Sequence, residues 1–286
     1  TDIMISYFQN KTVPDTYLYF SHFLDHFVML IFAKAAYDAG LYFDLSYGET
    51  IQLGTLGFVL FGLVSPLAAR LADYYSRSLL MVVFHFGLGI CAVAISFSQT
   101  ANHLLIGLAG LGAFASIFHP VGIAMLLKNP NKIGFRLGLN GVFGNMGVAA
   151  APLMTGILIF YYDWRTAFLV SGVLCVIYGV VFVVSLRPEI NNDTKNDNTG
   201  QKVGFSEGWA LVLFALAIST TVGGFIFAAV TFLIPRYFEV YMSNLSLSIA
   251  LTGVLASLVY AFSSFSQVGI GWLIDRVSPK RVLFCM

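Results

Sequence analysis

The chain alternates between long stretches free of Asp, Glu, Lys and Arg and short polar breaks. Thr50–Ala69 is charge-free, and Ser78–Leu127 is a charge-free run of 50 residues, enough for two helices and a hairpin at Gln99–His103. Leu137–Tyr162 and Thr166–Leu186 follow, parted by Asp163-Trp164-Arg165, and then Gly208–Pro235 and Val240–Ile274. A weaker run, Thr16–Ala33, is interrupted by Asp25. A helix crossing a bilayer needs about 20 predominantly apolar residues. The pattern therefore predicts eight spanning helices, at roughly 17–36, 48–71, 78–98, 102–127, 134–161, 165–186, 207–234 and 246–274. The closing Val-Leu-Phe-Cys-Met reads as the start of a ninth. No series of alternating ten-residue strands occurs, which excludes a β-barrel. No basic stretch with a cleavage site precedes the first run, so it is not read as a signal peptide.

The polar breaks set organisation and orientation. The segment Arg187–Glu207, rich in Asn and Asp, has almost nothing to bury and reads as a linker. It divides the chain into a six-helix bundle (1–187), a linker (188–206) and the start of a second bundle (207–286). With an inner N-terminus and alternating loops, 12 of the 15 basic residues fall inside; only Lys34, Arg165 and Arg236 fall outside. Basic residues concentrate on the cytosolic side of membrane proteins, which predicts a plasma (inner) membrane protein with a cytosolic N-terminus.

Composition agrees and narrows the class. Of 286 residues 58% are apolar and 10% charged, with mean hydropathy +0.83; soluble domains carry roughly 25% charge. Fifteen basic against 14 acidic residues leave no basic face for phosphates, so nucleic acid is excluded as a partner and the lipid bilayer is expected. Cys91, Cys175 and Cys285 lie in apolar runs without a CxxC, so neither a disulfide framework nor a metal site is expected. No enzyme motif is present and no cofactor is implied.

The sequence repeats itself at one place. After the second predicted helix stands Ala69-Arg-Leu-Ala-Asp73-Tyr-Tyr-Ser76-Arg77; after the eighth stands Gly271-Trp-Leu-Ile-Asp275-Arg276-Val-Ser278-Pro-Lys280-Arg281. Asp73 and Asp275 are 202 residues apart, each at the cytosolic end of the second helix of a bundle. Positive-inside charge explains the basic residues but not the aspartates. The paired loops resemble the G-x-L-a-D-R-x-G-R-K signature of the major facilitator superfamily. The second copy matches through Gly271, Leu273, Asp275, Arg276 and Lys280/Arg281; the first keeps Asp73 and Arg77 but has Ala69, Tyr74 and Ser76 at other positions. The resemblance implies an all-α polytopic membrane fold, with a six-helix N-terminal bundle and a truncated second bundle. Two blocks of roughly 200 residues are the layout of that fold, so the chain reads as a C-terminally incomplete record.

Two further patterns add to the resemblance. Gly138-x8-Gly147, followed by Ala151-Pro152 and Thr155-Gly156, is similar to the superfamily's antiporter motif, with Ala151 and Thr155 replacing two of its glycines. Gly141, Gly144 and Gly147 thin one helix face for close backbone approach, and Pro152 removes a helical hydrogen bond and permits a bend. Phe118-His119-Pro120 and His22-Phe-Leu-Asp25 resemble the fosmidomycin-resistance-like drug-efflux branch.

Asp25 is the one acidic residue in the interior of a predicted span. His22, Asp25 and His26 are spaced i, i+3 and i+4 and so share a helix face. Asp25 lies about 8 residues, or roughly 12 Å, past the start of its helix, and His119 lies 8 residues before the end of an oppositely running helix, so their depths match. The resemblance implies that both helices line a central cavity. Three roles fit the cluster: proton relay, direct substrate contact, or hydrogen-bonded packing. His85 stands alone and reads as a structural histidine. The expected function is secondary active transport, with proton-coupled export of a small drug or metabolite. The alternatives are a proton-coupled uptake symporter and a truncated, non-transporting membrane protein.

Overall fold

The computed structural model describes residues 7–8, 11–188, 208–242, 249–277 and 281. Its helices are α1 (Asp15–Phe43), α2 (Tyr47–Leu63), α3 (Ser65–Tyr74), α4 (Arg77–Ser96), α5 (Ala101–Ala115), α6 (Phe118–Leu127), α7 (Ile133–Tyr161), α8 (Trp164–Ser185), α9 (Trp209–Tyr241) and α10 (Ile249–Ile274). The one sheet among the described residues pairs β1 (Lys11–Thr12) antiparallel with β2 (Arg187–Pro188). That pairing brings the entrance of α1 and the exit of α8 to the same face, as an even number of crossings between them requires. The linker lies, apart from its first residue, outside the described residues, as do Ser278–Lys280 and Cys285.

Each predicted helix is present, and the differences have local causes. The second is α2 and α3, bent by 41° at Val64. Pro66 sits in the first turn of α3; lacking an N–H, it cannot continue the ladder of α2. The fourth is α5 and α6, interrupted at Ser116-Ile117. Pro120 leaves the Ser116 carbonyl without its helical donor, which places the break there. The first runs to Phe43, well past the predicted end, and stops where Asp44 turns left-handed (φ 56°) and donates its N–H to Gly40. Ala35, Ala36 and Ala39 give it no reason to stop sooner. The seventh continues through Pro235 to Tyr241. Arg236, expected in an outer loop, therefore lies on a helix, and Lys34, counted with the outer charges, lies well inside one.

Among the described residues six helices, counting α5 and α6 together, are long and apolar enough to cross a membrane, or seven if the bent α2–α3 pair is one span. α1 is not among them, because Asp15, His22, Asp25, His26, Lys34 and Asp38 dilute its apolar run. It is instead the buried centre of the bundle, with Val28, Ile31, Ala35, Ala36 and Ala39 wholly enclosed. Helix starts are capped by side chains legible in the sequence: Ser46 and Glu49 form a reciprocal capping box on α2, Thr100 accepts from His103 N–H on α5, and Asp163 accepts from Thr166 N–H on α8.

α7 packs against α1 on one side and α10 on the other. A methyl group added to Gly138 would press on the Gln267 carbonyl of α10, while one on Gly147 would overlap the Phe23 backbone of α1. The glycine stripe therefore serves two neighbours and not the single face expected from spacing. A step of three residues turns about 60° short of a full circle, so Gly141, Gly144 and Gly147 wind from α10 onto α1. α7 runs through Pro152 as one helix, and the Pro152 carbonyl and Gly156 both face Gly253 of α10.

Candidate functional site

The structure brings His22, Asp25, His26 and His119 together. α1 presents the first three on one face, and the break at Ser116-Ile117 restarts the chain so that His119 falls in the first turn of α6. The His22 ring lies 4.8 Å from that of His26 and 5.2 Å from that of His119, with 5.5 Å between His26 and His119. Asp25 is fully buried, and its Oδ2 is 3.5 Å from His119 Nε2. Neither Asp25 oxygen has a hydrogen-bond partner. His22 Nδ1 is 2.7 Å from the Asn140 carbonyl on α7, so Nδ1 carries the proton and donates it. His22 Nε2 is then a bare lone pair, buried and unpartnered. One ring nitrogen from each of the three histidines lies within 4.8 Å of the others.

Aromatic rings wall the cluster. Phe118 stacks on His22 at 4.7 Å, Phe61 meets His119 edge-on at 5.6 Å, and Phe227 of α9 meets His26 at 6.1 Å. Beside it opens a cavity of about 500 Å³, reached from His26 and Met29 and lined by Phe58, Phe61, Phe225 and Phe227. His85 is wholly buried and hydrogen-bonds Ser21 Oγ at 2.9 Å, the structural role expected of it.

The two loop motifs have different surroundings. Asp275 accepts from the backbone N–H groups of Gly134 and Phe135, both at 2.7 Å. These are first-turn donors of α7, whose own N-cap, Lys132, makes no capping bond. Gly271 lies against the Gly134 carbonyl, with no room for a Cβ. Arg276 stacks on Trp272 at 3.9 Å. Among the described residues Asp73 pairs only with Arg77, at 3.4 Å and exposed.

Sequence reasoning missed a second set of polar residues between the bundles. Lys34 on α1 is 2% exposed, pairs with Glu239 on α9, and donates to Thr252 Oγ1 on α10 at 2.9 Å. Glu239 also meets Arg236 at 3.2 Å. Asp38 shares α1 with Asp25, so Asp25 is not the lone acid within the helices. The available signal was the uninterrupted helical pattern around Lys34, which has no turn residue on either side. At the opposite end of α1, Asp15 is gripped by Arg136 through Nε at 2.5 Å and Nη2 at 2.7 Å.

The sequence model described as Major Facilitator Superfamily matches residues 18–286. The multidrug resistance protein MdtG of Proteus mirabilis (strain HI4320) is 25% identical over 243 residues, covering 82% of this chain and 60% of that protein. MdtG of Rahnella sp. (strain Y9602) is 24% identical over 235 residues, covering 81% and 57%. A solved bacterial homolog of the human lysosomal transporter Spinster superposes with TM-score 0.69 in its inward-facing, unoccupied form and 0.66 in its occupied form, at 17% identity. Those alignments cover 93% of this chain and 61–62% of the solved ones. The chain thus spans about three-fifths of the length of these relatives. The eight-helix order, the two aspartate loops and the family match over nearly all residues agree: the chain belongs to the Major Facilitator Superfamily, a family of multi-pass membrane transporters and not of enzymes.

Proposed function

We propose that the chain handles the proton and the solute in a proton-coupled exporter of small apolar drugs or metabolites. The observation that carries this reading is Asp25, a fully buried carboxylate with no donor on either oxygen, beside His119 next to an apolar cavity. Ionisable groups held within a membrane bundle mark ion and proton pathways. An apolar cavity with a few convergent polar groups suits a hydrophobic solute. The multidrug resistance names of the relatives agree with export. In this reading Asp25, His22, His26 and His119 take the proton and meet the solute, the loops at Asp73 and Asp275 set conformational cycling, and the α7 glycines with Pro152 allow α7 to move against its neighbours.

Proteoliposomes containing the protein test it. Asp25→Asn should abolish gradient-driven drug movement while permitting solute counterflow. An uncoupler should raise drug retention in cells expressing the protein. Undiminished gradient-driven transport by Asp25→Asn would refute the coupling role, and uncoupler-sensitive uptake without export would reverse the direction. We also propose an inner-membrane protein with a cytosolic N-terminus and linker. A cysteine placed at Asn196 should resist an impermeant thiol reagent in intact cells; labelling there would invert the topology.

A further inference from the structure

We infer that His22, His26 and His119 form a binding site for a divalent transition-metal cation of the zinc class. The sequence, read through its cysteines, pointed to no metal site; the fold assembles one from histidines on two helices. The ring nitrogens already lie within 4.8 Å of one another. Zinc–imidazole bonds of about 2.0–2.1 Å in a tetrahedral site require nitrogen separations of roughly 3.4 Å. The remaining contraction is within reach of imidazole ring rotation, which is soft about its last torsion.

One of the three rings has the outer partner that metal-binding histidines use: His22 Nδ1–H donates to the Asn140 carbonyl, which fixes the tautomer and leaves a bare, buried Nε2. His119 Nε2 lies 3.5 Å from the Asp25 carboxylate, which supplies a negative charge beside a cation. Orphaned buried acceptors are rare in folded proteins, and here His22 Nε2 and both Asp25 oxygens occur at one place. A cation would satisfy the lone pair directly and the carboxylate electrostatically.

The donor set selects the ion. Three imidazoles suit Zn²⁺, Co²⁺, Ni²⁺ or Cu²⁺, whereas Ca²⁺ and Mg²⁺ require cages rich in oxygen. Three protein ligands leave a fourth position, and one of the three, His26, borders the cavity. The inference adds a ligand to the proposed proton and solute site but needs neither coupling nor direction. It is tested at equilibrium, so a failure of coupling leaves it standing and its own failure leaves coupling standing.

The purified protein in detergent, with any affinity tag removed, is titrated with Co²⁺. One equivalent should bind with the intense visible bands of four-coordinate cobalt, and Zn²⁺ but not Mg²⁺ should bleach them. His22→Ala, His26→Ala and His119→Ala should each weaken binding by at least about tenfold. His103→Ala, in an exposed turn away from the cluster, should leave binding within about twofold. Gel filtration and helical circular dichroism establish that each variant is folded; His119, the most accessible of the three, gives a variant that stays folded if His22→Ala does not. Absence of the cobalt bands, or equal affinity in folded His119→Ala, overturns the site.

Discussion

The loops at Asp73 and Asp275 carry the same signature and lead different lives. Asp275 reaches from the second bundle into the first and caps α7, which has no cap of its own. Asp73 stays in its own loop and, among the described residues, meets only Arg77, in solvent. The difference teaches what the signature aspartate is for. Its work is done across the boundary between bundles, on the exposed N–H groups of a helix start, where a carboxylate is favoured by both hydrogen bonds and the helix dipole. Among the described residues only one copy of the device is assembled.

The largest test of that contrast is Lys34, whose buried pairing with Glu239 also crosses the boundary, some 28 Å further along α1 than Asp15 at 1.5 Å per residue. Breaking a buried pair leaves an uncompensated charge and costs about 3 kcal/mol or more. Glu239→Ala, which strands the buried Lys34 ammonium, should lower the melting temperature in detergent markedly, whereas Arg77→Ala should not. Equal effects would dissolve the distinction between crossing and local pairs. Next comes Gly271→Val, which must push its side chain into the Gly134 carbonyl and should cost about 1–3 kcal/mol. Ala69→Val, at the matching half-buried position of the first copy, should stay within about 0.5 kcal/mol. Smaller again is Asp275→Ala, expected to cost about 1 kcal/mol as a lost helix cap. Asp73→Ala should be near neutral, as exposed ion pairs are. If denaturation of the two aspartate variants coincides, the cap across the boundary contributes nothing to holding α10.

Most of the fold was legible because bilayer crossing leaves a plain mark: runs without charge, cut by polar turns. The breaks at Val64 and Ser116 were signalled by Pro66 and Pro120 but lay inside runs whose apolarity does not falter, so periodicity passed over them. The site was half legible. Spacing put His22, Asp25 and His26 on one face, and matched depth brought in His119. The Asn140 carbonyl was invisible, because a backbone acceptor has no residue type to announce it. Lys34 falls inside the first predicted span, but its pairing between the bundles has no local mark. A lysine whose partners, Glu239 and Thr252, lie 205 and 218 residues away gives no local sign of them.

The contact between α7 and α10 has a mechanical consequence. At Gly134, Gly138, Gly271 and Gly253 the two helices meet backbone to backbone, without side chains that interlock. Ridges set into grooves make a ratchet, in which each step of sliding lifts one row of side chains over another. This seam is closer to a smooth rail. Two side chains set its register: Gln267, seated against Gly141, and Asp275, holding two N–H groups at one end.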